Sequence, residues 1–263
     1  MKIQQARKLD IDRDAVLKEA VDRISIANRL TSQRRNFLRG ALTLGGLSML
    51  TGCMLDESEG ITNALTKISR VNDKVQGLLF DPTRLAPTYP DSMITRPFPF
   101  NAFYSESEVV EVDEEDYELE VAGMVTNKKK WTLPELRAMP QEDQVTRHIC
   151  VEGWSAIGKW GGVPFASFLK LIGADTTAKY VGFKCADDYF TSIDMPTALH
   201  PQTLLALTYD GQVLPPKYGF PMKLRMPTKL GYKNPKHIQA IFVTNTYPGG
   251  YWEDQGYNWF GGS

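Results

Sequence analysis

The chain has 263 residues, 42% of them hydrophobic and 23% charged, so it can bury a sizeable core and is not globally disordered. Lys+Arg number 30 against 31 Asp+Glu, a net charge of −1 that excludes the basic footprint of a nucleic-acid binder. Three cysteines are too few for a disulfide scaffold or an all-cysteine zinc site, and no apolar run reaches the roughly 20 residues that span a bilayer.

Residues 1–52 read as a leader. Ile11, Val16, Leu17, Ala20, Val21, Ile24 and Ala27 recur at helical spacing, so part of the first 31 residues is expected to be helical. It would serve as a chaperone handle or as a solvated extension. Next comes Ser32-Gln33-Arg34-Arg35-Asn36-Phe37-Leu38-Arg39, followed by an uncharged run from Gly40 to Gly52. A basic segment before a short, mildly apolar one is the layout of an export signal. The paired arginines with Phe-Leu resemble the twin-arginine motif, although Gln33 stands where that motif usually has Ser or Thr. Leu50-Thr51-Gly52-Cys53 resembles a lipobox, in which the cysteine is lipidated; a plain small-residue cleavage region is the other reading. The expected location is the periplasm, with Cys53 as a candidate lipid anchor. The twin-arginine route carries folded proteins, which favours a cofactor loaded before export.

Residues 53–99 divide into a helix and a strap. Ile61, Leu65, Ile68, Val71, Val75 and Leu78 step by 3 and 4, which predicts an amphipathic helix over 56–80. Pro82, Pro87, Pro90, Pro97 and Pro99 then forbid regular helix and predict an extended strap. Residues 106–120 are crowded with acids, and Tyr117 to Val121 alternates with period two, as a half-exposed strand does. The acid run reads as a solvated sheet edge that discourages strand addition. A docking face for a basic electron-transfer partner is the sharper alternative.

Thr132-Leu133-Pro134-Glu135 is a capping box that starts a short helix. A second short helix runs from Pro164 to Ile172 and stops at Gly173. Strands are expected over 145–151, 180–185, 189–193, 204–209, 222–226 and 238–245, with Asp210-Gly211 as a hairpin turn. The tail from Tyr247 is rich in Gly and aromatics. Residues 100–263 thus form a strand-dominated α+β domain with short helices.

Common catalytic signatures are missing. Ile157 breaks the nucleophile-elbow pattern at Gly153-Trp154-Ser155-Ala156-Ile157, and there is no CxxC, HExxH or GxGxxG. What stands out is Arg147-His148-Ile149-Cys150-Val151-Glu152-Gly153-Trp154-Ser155, then Lys159-Trp160-Gly161-Gly162-Val163-Pro164. Cys150 is placed at a strand end, before a loop rich in Gly and Trp. A lone cysteine there is a packed small hydrophobe or a thiolate for a soft metal centre.

This segment resembles the signature of the sulfite oxidase superfamily of molybdopterin enzymes, whose C-x-E-G/A-W-S cysteine binds molybdenum. Further blocks match in order: Asp188-Tyr189, Asp210 to Pro215, Gly219 to Leu224, Met226-Pro227, Gly231-Tyr232-Lys233 and Gly250 to Glu253. Within the superfamily, the chain resembles the periplasmic methionine sulfoxide reductase catalytic subunits. The resemblance implies a sulfite-oxidase-type molybdopterin-binding fold over 100–263 and a Mo-molybdopterin cofactor with Cys150 as the metal ligand. It places Asn101 and Tyr104 on the pterin, with Ser105 replacing the family's acid. Cys185, Tyr218 and Lys223 stand where that subfamily has a contacting Thr, Asn and Arg, and Asn234-Pro235-Lys236 where it has Ser-Ile-Lys. Lys223, Lys233 and Lys236 can supply charge for the cofactor phosphate. Arg147 and His148 are candidates to steer a substrate, and Tyr251, Trp252 and Tyr257 to wall the entrance. The implied reaction is oxygen-atom transfer on a sulfur compound, most naturally sulfoxide reduction. With no CxxCH haem motif in the sequence, electrons are expected from a membrane haem subunit or a cytochrome. The alternatives are sulfite dehydrogenase-like oxidation and a metal-free binding lipoprotein.

Overall fold

The computed structural model describes residues 59–263, with side chains from residue 68 onward. The leader, the paired arginines and Cys53 lie outside the described residues. Asn63–Ser263 forms one compact unit.

Two sheets build this unit. The first has the order β2 (Trp131–Thr132), β1 (Glu118–Gly123), β10 (Ile238–Thr244), β5 (Tyr180–Cys185), β6 (Phe190–Asp194). Its β1 and β10 are parallel, with Glu120 opposite Ala240. A parallel pair needs a long crossover, and here most of the domain lies between the two strands. The second sheet has the order β3 (Glu142–Ile149), β4 (Ser155–Pro164), β7 (Leu204–Tyr209), β8 (Gln212–Val213), with β9 (Lys223–Arg225) also paired to β7. The expected α+β class holds, as do the expected strand positions to within a few residues.

Among the described residues four α-helices accompany the sheets: α1 (Glu59–Leu79), α2 (Leu133–Arg137), α3 (Phe165–Leu171) and α4 (Met195–Ala198). The capping box forms as read, with Thr132 and Glu135 exchanging bonds at the start of α2. Leu119 and Val121 on the inner face of β1 join Val181, Phe183, Ile241 and Val243 in the main core. Phe165, Phe168 and Leu169 of α3 and Leu205 and Leu207 of β7 complete it, so one core serves both sheets. A second cluster of Phe98, Trp160, Tyr209, Leu214 and Tyr218 ties the proline strap to the second sheet. Thr88 bridges to Thr146, and Tyr89 N donates to Val145 O at 3.0 Å, so the strap lies against the outer edge of β3.

Two sequence expectations change. The loop after Cys150 is confined to a short turn over 151–154, and the glycines beyond it belong to the ten-residue strand β4. Its glycines let neighbouring backbone approach: a Cβ on Gly162 would overlap the Leu205 carbonyl oxygen, and the ladder shifts register between Gly161 and Gly162. The acid run is not a sheet edge, because β1 is flanked by β2 and β10. Several of its acids are paired instead: Glu106 with Lys217, Glu114 with Arg137, Glu118 with Lys130. The expected amphipathic helix is present as α1, and it turns Ile68, Val71, Val75 and Leu78 to solvent.

Candidate functional site

Strands β3 and β4 form a hairpin whose tip is Cys150 to Trp154. Cys150 N donates to Trp154 O at 2.9 Å, and Gly153 N donates to Cys150 O at 3.1 Å. Gly153 sits at φ +92°, which a side chain would strain, so glycine is needed to turn the tip. The Cys150 side chain is 5% exposed and its thiol is free. Its Sγ lies 3.5 Å from Glu152 Oε2, and Asn101 Nδ2 donates toward it at 3.9 Å. Trp154 Nε1 holds the same Glu152 oxygen at 2.9 Å. Burial, reinforced by the Glu152 carboxylate, pushes the thiol pKa up. A positive metal centre would reverse that sign and stabilise the thiolate.

The thiol faces a small cleft lined by Asn101, Phe103, Glu152, Asp187, Tyr189, Gly231, Asn234, Pro235, Lys236, Trp252 and Tyr257. Glycine at 231 leaves space there: a Cβ would stand 2.7 Å from His148 Nε2 and 3.3 Å from Asn101 Nδ2. His148 is buried behind the cleft, and neither ring nitrogen has a hydrogen-bond partner. Burial, then the charges of Lys223, Arg225 and Lys236, hold its pKa well below the usual value. The imidazole is therefore neutral at neutral pH.

Lys223, Arg225 and Lys236 are all buried, and among the described residues none pairs with a carboxylate within 4 Å. Arg225 reaches Arg147 O at 2.8 Å and Thr146 Oγ1 at 3.1 Å. Lys236 Nζ reaches Lys217 O at 2.9 Å and lies 4.6 Å from the Phe100 ring centre. Lys223 Nζ lies 4.9 Å from the Trp160 ring centre. Buried cations without counter-charge are costly, and an anionic ligand is the natural way to offset them. Among the described residues no group of three or more His, Cys, Asp or Glu converges. One thiol, uncompensated cations and a glycine cradle therefore suit a metal brought by an anionic cofactor better than a cage of protein ligands.

The other expected residues fall differently. Tyr104 sits just outside the cleft and donates to Asp187 Oδ2 at 2.9 Å. Asn234 is held in place: Oδ1 accepts from Met226 N at 2.6 Å and from Arg225 Nη1 at 3.3 Å, and Nδ2 donates to Leu230 O at 3.0 Å. Ser105 is exposed and caps the turn at Glu106–Glu108. Cys185 is a free thiol within the main core, so it is not bonded to Cys150. Tyr218 donates to Phe98 O at 2.8 Å inside the second cluster. Lys233 is committed to a buried ion pair with Glu253 and to Ser192 O. Arg147 alternates with His148 on β3, is exposed, and lines a different cleft. That second cleft is larger, about 490 Å³, but holds no thiol and none of the unpaired buried cations. Of the tail aromatics, Trp252 and Tyr257 line the cysteine cleft, while Tyr251 stacks on Phe103 behind it. Sequence reasoning missed the roles of Glu152, Asp187 and Arg225. Glu152 was visible beside the cysteine in the motif; nothing in the sequence marks Arg225 as buried.

The chain is similar in sequence to known proteins. The oxidoreductase molybdopterin-binding domain matches residues 106–252. The chain is 69% identical over 250 residues, 95% of both chains, to a putative protein-methionine-sulfoxide reductase subunit of Azospira oryzae. It is 32% identical over 161 residues to a protein-methionine-sulfoxide reductase catalytic subunit of Burkholderia mallei, a match spanning 55% of this chain and 49% of that relative. Among solved structures, the sulfane dehydrogenase of Paracoccus pantotrophus aligns over 52% of this chain and 40% of its own, at 19% identity and a TM-score of 0.49. From the matched domain and the 69% identical relative, the chain belongs to the oxidoreductase molybdopterin-binding family of the sulfite oxidase superfamily.

Proposed function

We propose that this protein is an exported molybdopterin-dependent oxidoreductase that reduces a sulfoxide of the methionine sulfoxide type. Its electrons come from a separate haem protein, either a membrane haem subunit or a cytochrome. The observation that carries the reading is the free Cys150 thiol in a cleft backed by three buried cations without carboxylate partners. The names of the Azospira and Burkholderia relatives support the substrate class. The Arg34-Arg35 leader supports periplasmic export, and Cys53 supports a lipid anchor.

In this reading Cys150 holds the metal, and Lys236, with Lys223 and Arg225 behind it, attracts the cofactor phosphate. When bound, the cofactor supplies two-electron redox chemistry and the exchangeable oxygen position. The chain's residues do the rest. Asn101 directs its amide at the thiol, and Glu152, tied to Trp154, holds the hairpin tip. Neutral His148 presents a ring nitrogen without adding charge. Trp252, Tyr257 and Phe103 wall the cleft.

Protein made with its leader intact should carry stoichiometric molybdenum by elemental analysis. Cys150→Ala should lose activity by at least about 100-fold while circular dichroism stays unchanged. Methionine sulfoxide with reduced viologen should turn over. Sulfite oxidation without sulfoxide reduction would reverse the assigned direction, and metal-free wild-type protein would leave only a binding role.

A further inference from the structure

Helix α1 is mounted with its polar side inward. Asp73 Oδ1 accepts from Asn258 Nδ2 at 2.7 Å and from Phe260 N at 3.0 Å. Gln76 Oε1 accepts from Gly262 N at 3.4 Å. Ser69, Asp73 and Gln76 are the half-buried positions among the helix residues 68–79, spaced as one helix face, and Phe80 follows them just past the helix end. The opposite face carries Ile68, Val71, Val75 and Leu78, which are 48–85% exposed. Leu79 and Leu85 extend the apolar surface to the lip of the 490 Å³ cleft. A contiguous apolar surface of this kind on a folded domain marks an interaction site.

The charge around this face identifies what covers it. Arg70 and Lys74 are exposed beside the stripe, and Arg84 and Arg147 line the adjoining cleft with a single acid, Asp81, so the cations outnumber it four to one. Among the described residues none of the four joins a salt bridge within 4 Å. Residues 1–52 hold 10 Lys+Arg and 5 Asp+Glu, so the remainder holds 20 against 26, a charge of −6. A basic rim on an acidic domain is a local feature. A second copy docked face to face would set that rim against itself. An anionic lipid surface offers an acyl layer for the stripe and negative headgroups for the rim. Residues 68–79 span about 18 Å of helix, suited to lying along an interface. No helix among the described residues is long and apolar enough to cross a membrane.

We propose that the apolar face of α1, with its rim of Arg70, Lys74, Arg84 and Arg147, docks the folded domain onto an anionic phospholipid surface. This contact is separate from any lipid on Cys53 and from the Cys150 cleft.

The test uses the full chain carrying Cys53→Ser, so that no covalent lipid contributes, in flotation with phosphatidylglycerol/phosphatidylethanolamine vesicles and with neutral phosphatidylcholine vesicles. The protein should float with the anionic vesicles and much less with the neutral ones. Val71→Glu with Leu78→Glu should cut the bound fraction at least tenfold, with circular dichroism and molybdenum content unchanged. Arg70→Gln with Lys74→Gln should remove the preference for anionic lipid. Flotation unaffected by Val71→Glu with Leu78→Glu would assign lipid binding to the leader and overturn the proposal. Absence of flotation would overturn it too, as would a dimer, seen by light scattering, that this pair of substitutions splits without any vesicle binding.

Discussion

At the residue scale, three cations buried around His148 dominate the energetics of the cysteine cleft. Each loses hydration on folding and has no carboxylate within 4 Å among the described residues, so each favours ligand binding at the expense of the empty fold. Lys223→Met should therefore raise the stability of cofactor-free protein, by about 1–3 kcal/mol, and at the same time lower cofactor retention. Urea melts of the cofactor-free chain and molybdenum content of the loaded one measure the two effects, and a purely structural lysine would lower both. The pH dependence follows from the same burial. Burial pushes Lys236 down to about 8 and Lys229 down to about 7, from an ordinary 10.5. From those values up to 10.5 the unfolded chain keeps protons that the folded chain has released, so stability rises with pH across that window. The urea midpoint of cofactor-free protein should be higher at pH 9.5 than at pH 7. A phosphate that pairs with Lys236 should flatten the rise.

At the element scale, the β3–β4 hairpin both makes the site and anchors it. Its tip presents Cys150 to the cleft, and β4 continues into the core against β7. Gly162 is where the two backbones come too close for a side chain. Gly162→Ala should cost about 2–3 kcal/mol, read from the denaturation midpoint, although the position is far from the thiol in the strand. Helix α1 teaches a different lesson about elements. Its apolar period correctly announced a helix, but period alone does not say what the apolar side will face.

At the scale of the whole molecule, α1 and the C-terminal tail are fastened to each other by few bonds. Asp73 accepts from Asn258 and from the backbone of Phe260, fastening α1 to the C-terminal tail. Lys229 strengthens the seam: its Nζ donates to Phe260 O at 3.0 Å beneath the Phe80 and Phe260 rings. Asp73→Ala should cost only about 1–2 kcal/mol globally. It should nonetheless speed hydrogen exchange at residues 257–263 well beyond that at β7 or β10, because those strands lie in the main core.

The amino-acid sequence by itself determined the α+β class, most strands, the capped helix at Thr132 and the cysteine motif. These rest on local causes: period-two alternation, side-chain capping, and short turns such as Asp210-Gly211, where both residues take positive φ. Tertiary structure alone decided that β4 is a strand, since glycines read as loop until β3 and β7 are seen to flank it. It alone separated Lys233, spent on Glu253, from Lys223 and Lys236, which stay uncompensated. Arg225 escaped notice because all three residues of β9 are buried, which erases the alternation that marks an outward charge. Arg147 and His148 are neighbours in sequence, yet the pleat of β3 sends them to opposite faces. Which charges meet, and which remain unpaired, is set by contacts between residues distant along the chain, and local pattern carries no record of those contacts.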